Sequence, residues 1–302
     1  MYLGGKFLQN QNAHNELKKR TAWISVLSNT LLVVLKLVVG IFSGSISIIS
    51  EAAHSAVDLL AALIAFFAVR KASEPPDKQH AYGHGKFENL SAAAEAFLIV
   101  LVAVWIVFEA VDKFQSSQQP EYLGYGILIM LISVIVNYLV SRRLLSVAHQ
   151  TGSDALEADA LHLRTDVWTS LGVLTGLAAI QITGLTWLDP AIAVVVSVII
   201  FKAGYDMTLK NLWELTDISL PPEEEALIQE IITSHPEVIS FHKLRTRRSG
   251  SYRQIDMHIV LENDMHLDKA HDICDEIEAQ IKDALGLCVV VIHLEPNENE
   301  VE

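Results

Sequence analysis

Long apolar runs with short polar joints fill the chain from about Thr21 to Met207. A helix that crosses a bilayer needs ~20 mostly apolar residues. Six runs meet that length: Ala22 to Phe42, Ile46 to Val69, Leu90 to Val111, Tyr122 to Val140, Leu156 to Ile182 and Leu188 to Ala203. The pattern predicts six transmembrane helices. The first run is not a cleavable signal, because it is long, carries Lys36 and is followed by five more spans. Basic residues gather on one side of the predicted spans: Lys18, Lys19, Arg20, Arg70, Lys71, Lys78, Lys86, Arg142, Arg143, Lys202 and Lys210. The other side has only Lys113. That asymmetry predicts both termini in the cytosol.

After Met207 the pattern changes. Glu223 to Ser234 reads as an amphipathic helix opened by Pro221 and Pro222. Val238 to Arg247 and Tyr252 to Leu261 read as strands with a turn at Ser249-Gly250, and in the second Ile255, Met257, Ile259 and Leu261 alternate with mostly polar residues. Leu267 to Leu285 is helical in period, and Cys288 to Leu294 is a β-branched run. The order α-β-β-α-β predicts a small two-layer α+β domain. The expected organisation is a cytosolic segment 1–20, a six-helix transmembrane domain 21–207 and a cytosolic α+β domain 208–302.

Composition sharpens this picture. The chain of 302 residues is 51% hydrophobic and 19% charged, too apolar for an ordinary soluble protein. Its net charge is −14, which argues against a nucleic-acid partner. The tail from Lys210 supplies most of the excess, with 20 acidic against 8 basic residues. Two cysteines, Cys274 and Cys288, make no disulfide framework. The unusual feature is 12 histidines beside so much apolar sequence.

Ionisable residues inside a membrane are costly and mark functional sites. The second span holds His54 and Asp58, the fifth His162 and Asp166. In each, four residues separate histidine from aspartate, so the two share a helix face. Two such faces opposed supply two imidazoles and two carboxylates, a tetrahedral set suited to Zn²⁺ at ~2.0–2.2 Å per bond. The competing reading is a buried His–Asp hydrogen bond in each helix. Glu51 and Arg164 lie in the same spans and are assigned secondary, structural or gating, roles.

The joint between the second and third spans holds Asp77, His80 and His84, which can converge on one ion, with Gly83 and Gly85 allowing a tight turn. In the tail, His242, His258, His271 and His293 fall on or beside separate elements, and Glu295 shares a strand face with His293. Polar loops and acidic surfaces also carry solvated histidines, so spacing alone leaves both groups open. His14, His149, His235 and His266 are assigned to that solvated class.

Taken together, these segments resemble the cation diffusion facilitator family of metal/proton antiporters. The likeness rests on His54-x-x-x-Asp58 with His162-x-x-x-Asp166, on Asp77 through Lys86, on His242 through Arg247 and on Ile292 through Pro296, and it covers nearly the whole chain. It implies six spans, a metallochaperone-like α+β domain and a homodimer. It further implies that His54, Asp58, His162 and Asp166 form the transport site, that Asp77, His80 and His84 form a loop site, and that His242, His258, His271 and His293 form the cytosolic sites. Glu295 stands where the family often has Asp, and is expected to ligate with longer reach. Lys86 and Asp217 match a charge pair at the dimer interface. Two His with two Asp resemble the zinc-preferring pattern, with a broader Cd²⁺, Co²⁺, Ni²⁺ or Fe²⁺ exporter as the alternative.

The mechanism expected from chemistry alone is exchange. Neutral His and ionised Asp bind Zn²⁺ and their protonated forms do not, so metal and protons compete for the same atoms. An inward proton gradient would then drive metal out. An intramembrane metalloprotease is disfavoured because the chain lacks an HExxH helix, so no enzyme activity is expected. A channel or a membrane metal sensor are the other readings, and proton-gradient-dependent flux separates a carrier from both. The expected location is the cell membrane, a bacterial inner membrane by the short length.

Overall fold

The computed structural model describes residues 2–43, 46–115, 124–185 and 187–297. The chain divides into two compact units, one of Asn15–Leu212 and one of Met1–His14 with Trp213–Glu302.

The first unit is a helical bundle. Its elements are α1 (Tyr2–Ser43), which begins in the other unit, α2 (Ile46–Ala72), α3 (Lys86–Gln115), α4 (Gly124–Thr151), α5 (Asp154–Thr183) and α6 (Leu188–Leu215), whose last residues also lie there. Among the described residues, five of them, all except α5, are long and apolar enough to cross a membrane. Helix α5 is of comparable length, 30 residues, and packs along α2, α3 and α4. Its first half carries Asp154, Glu157, Asp159, Arg164 and Asp166, which lowers its hydropathy without removing it from the bundle. The outward surface is apolar, with Leu27, Phe42, Phe108 and Val195 among its most exposed side chains, as suits a bundle bathed in lipid.

Small residues fill the interior. Ala22, Ala148, Ala155 and Ala160 pack with Val69, Leu144, Val147, Leu156 and Leu163. Helices in lipid gain little from excluding water and associate by close backbone approach and hydrogen bonds. Several helices run beyond their apolar stretches, and the added turns are polar. Lys18 Nζ donates to Glu88 Oε1 at 2.6 Å, both fully buried, and the Ser153 hydroxyl donates to the other Glu88 oxygen. Asn89 donates to Asp154 at 3.0 Å, while Lys210 Nζ reaches Asp154 at 3.0 Å and Glu157 at 2.7 Å. These bonds clamp α1, α3, α5 and α6 at one end of the bundle.

The second unit holds α7 (Pro222–Thr233), β1 (Ser240–Ser249), β2 (Tyr252–Leu261), α8 (Leu267–Leu285) and β3 (Cys288–Pro296). The sheet order is β1-β2-β3, antiparallel then parallel. Ser249 pairs with Tyr252, so the hairpin loop is Gly250-Ser251, and Gly250 sits at φ +56, a conformation a two-residue hairpin needs. Ile228 and Ile232 of α7 and Ala270, Ile273, Ile277 and Ile281 of α8 pack on Ile255, Met257 and Ile259 of β2. One sheet face is thereby covered, and alternate residues project from the other. Arg253 ties β2 to α7 through two bonds to Glu224, at 2.6 and 2.7 Å. That hydrogen-bonded guanidinium holds the Glu224 carboxyl below its usual range.

Ile277 is completely buried at the centre of this layer. Ile277→Ala is expected to destabilise the tail by about 2–5 kcal/mol. Hydrogen exchange on the full-length protein should show lost protection of β2 amides, with α2 and α3 amides unchanged.

Candidate metal centres

Among the described residues, three groups of side chains gather with ligand atoms within 4.8 Å of one another: His54, Asp58 and Asp166; Asp77, His80 and His84; and His242, His258 and Glu295.

The first lies inside the bundle. Asp58, buried on α2, is the hub. Its Oδ1 is 3.8 Å from His54 Nε2 one helical turn away and 3.3 Å from His162 Nε2 on α5. Asp166 stands one turn beyond His162, and its Oδ2 is buried without a hydrogen-bond partner. Asp58 thus gathers with His54 and Asp166, and its contact with His162 brings a second imidazole from α5 alongside that group. Lys36 was not anticipated as part of this neighbourhood. It is buried on α1, donates to Ser55 Oγ at 2.7 Å and lies within electrostatic reach of Asp166. The signal was legible, since a lysine within an apolar run is itself an ionisable residue in the membrane. Arg164 is exposed, on a side of α5 away from the buried His162. Glu51 lies outside the residues whose side chains are described.

The second group caps the turn between α2 and α3. Asp77 Oδ1 accepts from the backbone amides of Gln79 and His80, at 2.8 and 2.7 Å. These bonds, the His80 amide foremost, hold its carboxyl below the ordinary range. Gly83, at φ +86, lets the chain turn back so that His84 faces Asp77. His84 is buried, with Nε2 at 3.2 Å from Asp77 Oδ2, and His80 Nδ1 is 3.4 Å from Oδ1. None of these contacts has hydrogen-bond geometry. This spacing of nitrogens and oxygens is compatible with ligation of one common cation.

The third group is built by strand register. His242 pairs with His258 across β1 and β2, and His258 pairs with His293 across β2 and β3. The three imidazoles form a row on the open face of the sheet, with ring centroids 5.3 and 4.6 Å apart. Glu295 lies two residues past His293. Its Oε1 is 2.6 Å from His258 Nδ1 and 3.9 Å from His293 Nε2, while Oε2 is 3.0 Å from His242 Nε2. The His258 bond holds the Glu295 carboxyl below its usual range, helped by His242 and Lys243. His271 is not brought to this row. It is exposed on α8, which packs on the opposite sheet face, and its ion-pair contact is Asp275 at 3.9 Å. Asp217 accepts from Arg247 at 3.0 Å within the tail unit, while Lys86 opens α3 in the bundle. Neither cysteine belongs to a metal-ready group, and burial pushes the Cys288 thiol up to about 11.

A family model described as the cation efflux transmembrane domain matches residues 22–216, and one described as the cation efflux protein cytoplasmic domain matches residues 220–297. The chain belongs to the cation efflux, or cation diffusion facilitator, family. It is accordingly a multi-pass membrane protein of a transporter family. An uncharacterized transporter of Synechocystis is 34% identical over 266 residues, 88% of this chain and 86% of that one. The cation-efflux pump FieF of Shewanella oneidensis is 30% identical over 275 residues, covering 90% and 92%. A solved chain of CzrB in its Zn form is 34% identical, covers 28% of this chain and 98% of its own, and gives a TM-score of 0.25.

The Glu295 contacts carry a pH signature. Because its carboxyl is depressed from an ordinary 4.5, their contribution to tail stability is complete above that value and is lost as pH falls through the lower folded value. Calorimetry of metal-free protein should show the difference between wild type and Glu295→Gln constant near neutral pH and vanishing with acidification. A difference that stays constant throughout acidification would break the assignment.

Proposed function

We propose that this member of the family exports a divalent cation, Zn²⁺ first among candidates, in exchange for protons, as an alternating-access homodimer. The observation that carries the reading is the gathering of His54, Asp58 and Asp166 within the bundle, with His162 in contact with Asp58. Nitrogen and oxygen donors in a set of two and two suit tetrahedral Zn²⁺. They do not exclude Cd²⁺, Co²⁺, Ni²⁺ or Fe²⁺, whose discrimination depends on geometry as much as on donor type.

The coupling follows from the ligands. A divalent ion needs both carboxylates ionised and both imidazoles neutral. Protons delivered from the far side occupy the same atoms and expel the ion. Imidazole is suited to that exchange because it changes charge near neutral pH, so His54 and His162 carry the protons while Asp58 and Asp166 anchor the cation. The distribution of basic residues supports a cytosolic placement of both termini, the loop site and the tail. The match to the family's cytoplasmic domain supports dimerisation through the tail, with Lys86 and Asp217 as an intersubunit charge pair. In the tail, cytosolic cation bridging the histidine row and Glu295 stabilises the conformation that pre-aligns these ligands, which makes the tail a regulator.

The test is purified protein in proteoliposomes with an imposed pH difference, comparing Zn²⁺, Cd²⁺, Co²⁺, Ni²⁺ and Fe²⁺. Zn²⁺ flux is expected to follow the gradient, and flux indifferent to it would point to a channel. Asp58→Ala should abolish transport with assembly intact; normal flux through that variant would contradict the site. The double variant His242→Ala/His293→Ala should shift the metal concentration for activation without erasing transport, and an unchanged activation curve would remove the regulatory role.

A further inference from the structure

The four-residue site does not use every buried acid of the bundle. Glu95 on α3 and Asp159 on α5 are each 1% exposed. Neither oxygen of Asp159 makes a hydrogen bond of good geometry, although the Ser25 hydroxyl approaches it, and Glu95 Oε2 has no partner. The other Glu95 oxygen takes a long bond of 3.4 Å from Ser91 Oγ. The two carboxyl groups lie within electrostatic reach of each other and of His162, and Ser25 of α1 lies beside Asp159. Ala92, Ala96 and Ala158 bring α3 and α5 close at this level. Two acids buried together with unsatisfied oxygens are costly unless they take up protons or a cation stands between them, and among the described residues no Lys or Arg forms an ion pair with either.

Their placement relative to the four-residue site is specific. Asp159, His162 and Asp166 stand at i, i+3 and i+7, one continuous stripe on α5. Asp159 is ~4.5 Å along the axis from His162. It lies on the side of the helix end where Asn89 of α3 bonds Asp154, the same end at which the Asp77–His84 turn joins α2 to α3.

We propose that Glu95 and Asp159, with the hydroxyls of Ser25 and Ser91, form a second divalent-cation station that passes its ion along the α5 stripe to His162 and the four-residue site. This deepens the carrier reading and rests on it. Oxygen donors hold a partly hydrated cation loosely, and a multi-site path needs binding weak enough to release the ion onward. The more nitrogen-rich site then completes dehydration.

The test counts ions. Full-length protein in detergent is dialysed to equilibrium against Cd²⁺ alone. Glu95→Gln/Asp159→Asn, which keeps side-chain size, is expected to bind one Cd²⁺ fewer per chain than wild type, and to lose that ion also in an Asp58→Ala background. Equal counts in either comparison would overturn the proposal. Because neutralising two buried acids can disturb folding, a second measurement uses the wild-type chain. Its structure at saturating Cd²⁺ should show metal density between Glu95 and Asp159, and density at the four-residue site without density there would also overturn it. The carrier reading fails separately: wild-type proteoliposomes without cation flux would refute it whatever the Cd²⁺ count.

Discussion

A charge withdrawn from water must meet an opposite charge or a full set of hydrogen bonds, and this constraint organises the membrane unit. Glu88 satisfies it with Lys18 and Ser153. Asp154 satisfies it with Asn89 and Lys210. Those pairs are closed, and they clamp helices. Asp58 and Asp166 are different: imidazoles are their contacts, Lys36 bonds Ser55 while lying within electrostatic reach of Asp166, and Asp166 retains an unsatisfied buried oxygen. A carboxylate paired with a lysine is a structural fixture. A carboxylate set among imidazoles is the feature on which the carrier reading rests.

Much of this was legible in the sequence, for identifiable reasons. Helical period placed His54 with Asp58 and His162 with Asp166, because four residues always bring two side chains onto one face. Alternation along β2 separated Ile255, Met257 and Ile259 from His258. The charges of α5 did not hide it, because the run from Leu156 to Ile182 is apolar enough around them to be read as a span. The small differences at element ends came from polar turns such as Lys86–Asn89, which continue a helix past its apolar run and so give no hydropathy signal.

What the sequence withheld depends on contact between elements distant in the chain. Nothing in the spacing of Lys18 and Glu88 announces their bond across 70 positions. The separation of His271 from the other tail histidines follows from α8 covering the opposite sheet face, a fact of packing and not of period. Glu95 and Asp159 each stand out as acids within a predicted span, but nothing in their spacing joins them. Only the close approach of α3 and α5, permitted by alanines at their contact, makes them a pair.

The row of His242, His258 and His293 draws one imidazole from each of the three strands. Any ion held there stitches the whole sheet and binds the folded tail far better than the unfolded chain. By mass action, an ion at a hundred times its dissociation constant adds about 2.7 kcal/mol to folding. The lifetime of this domain, including its resistance to proteolysis, would therefore rise and fall with the supply of metal.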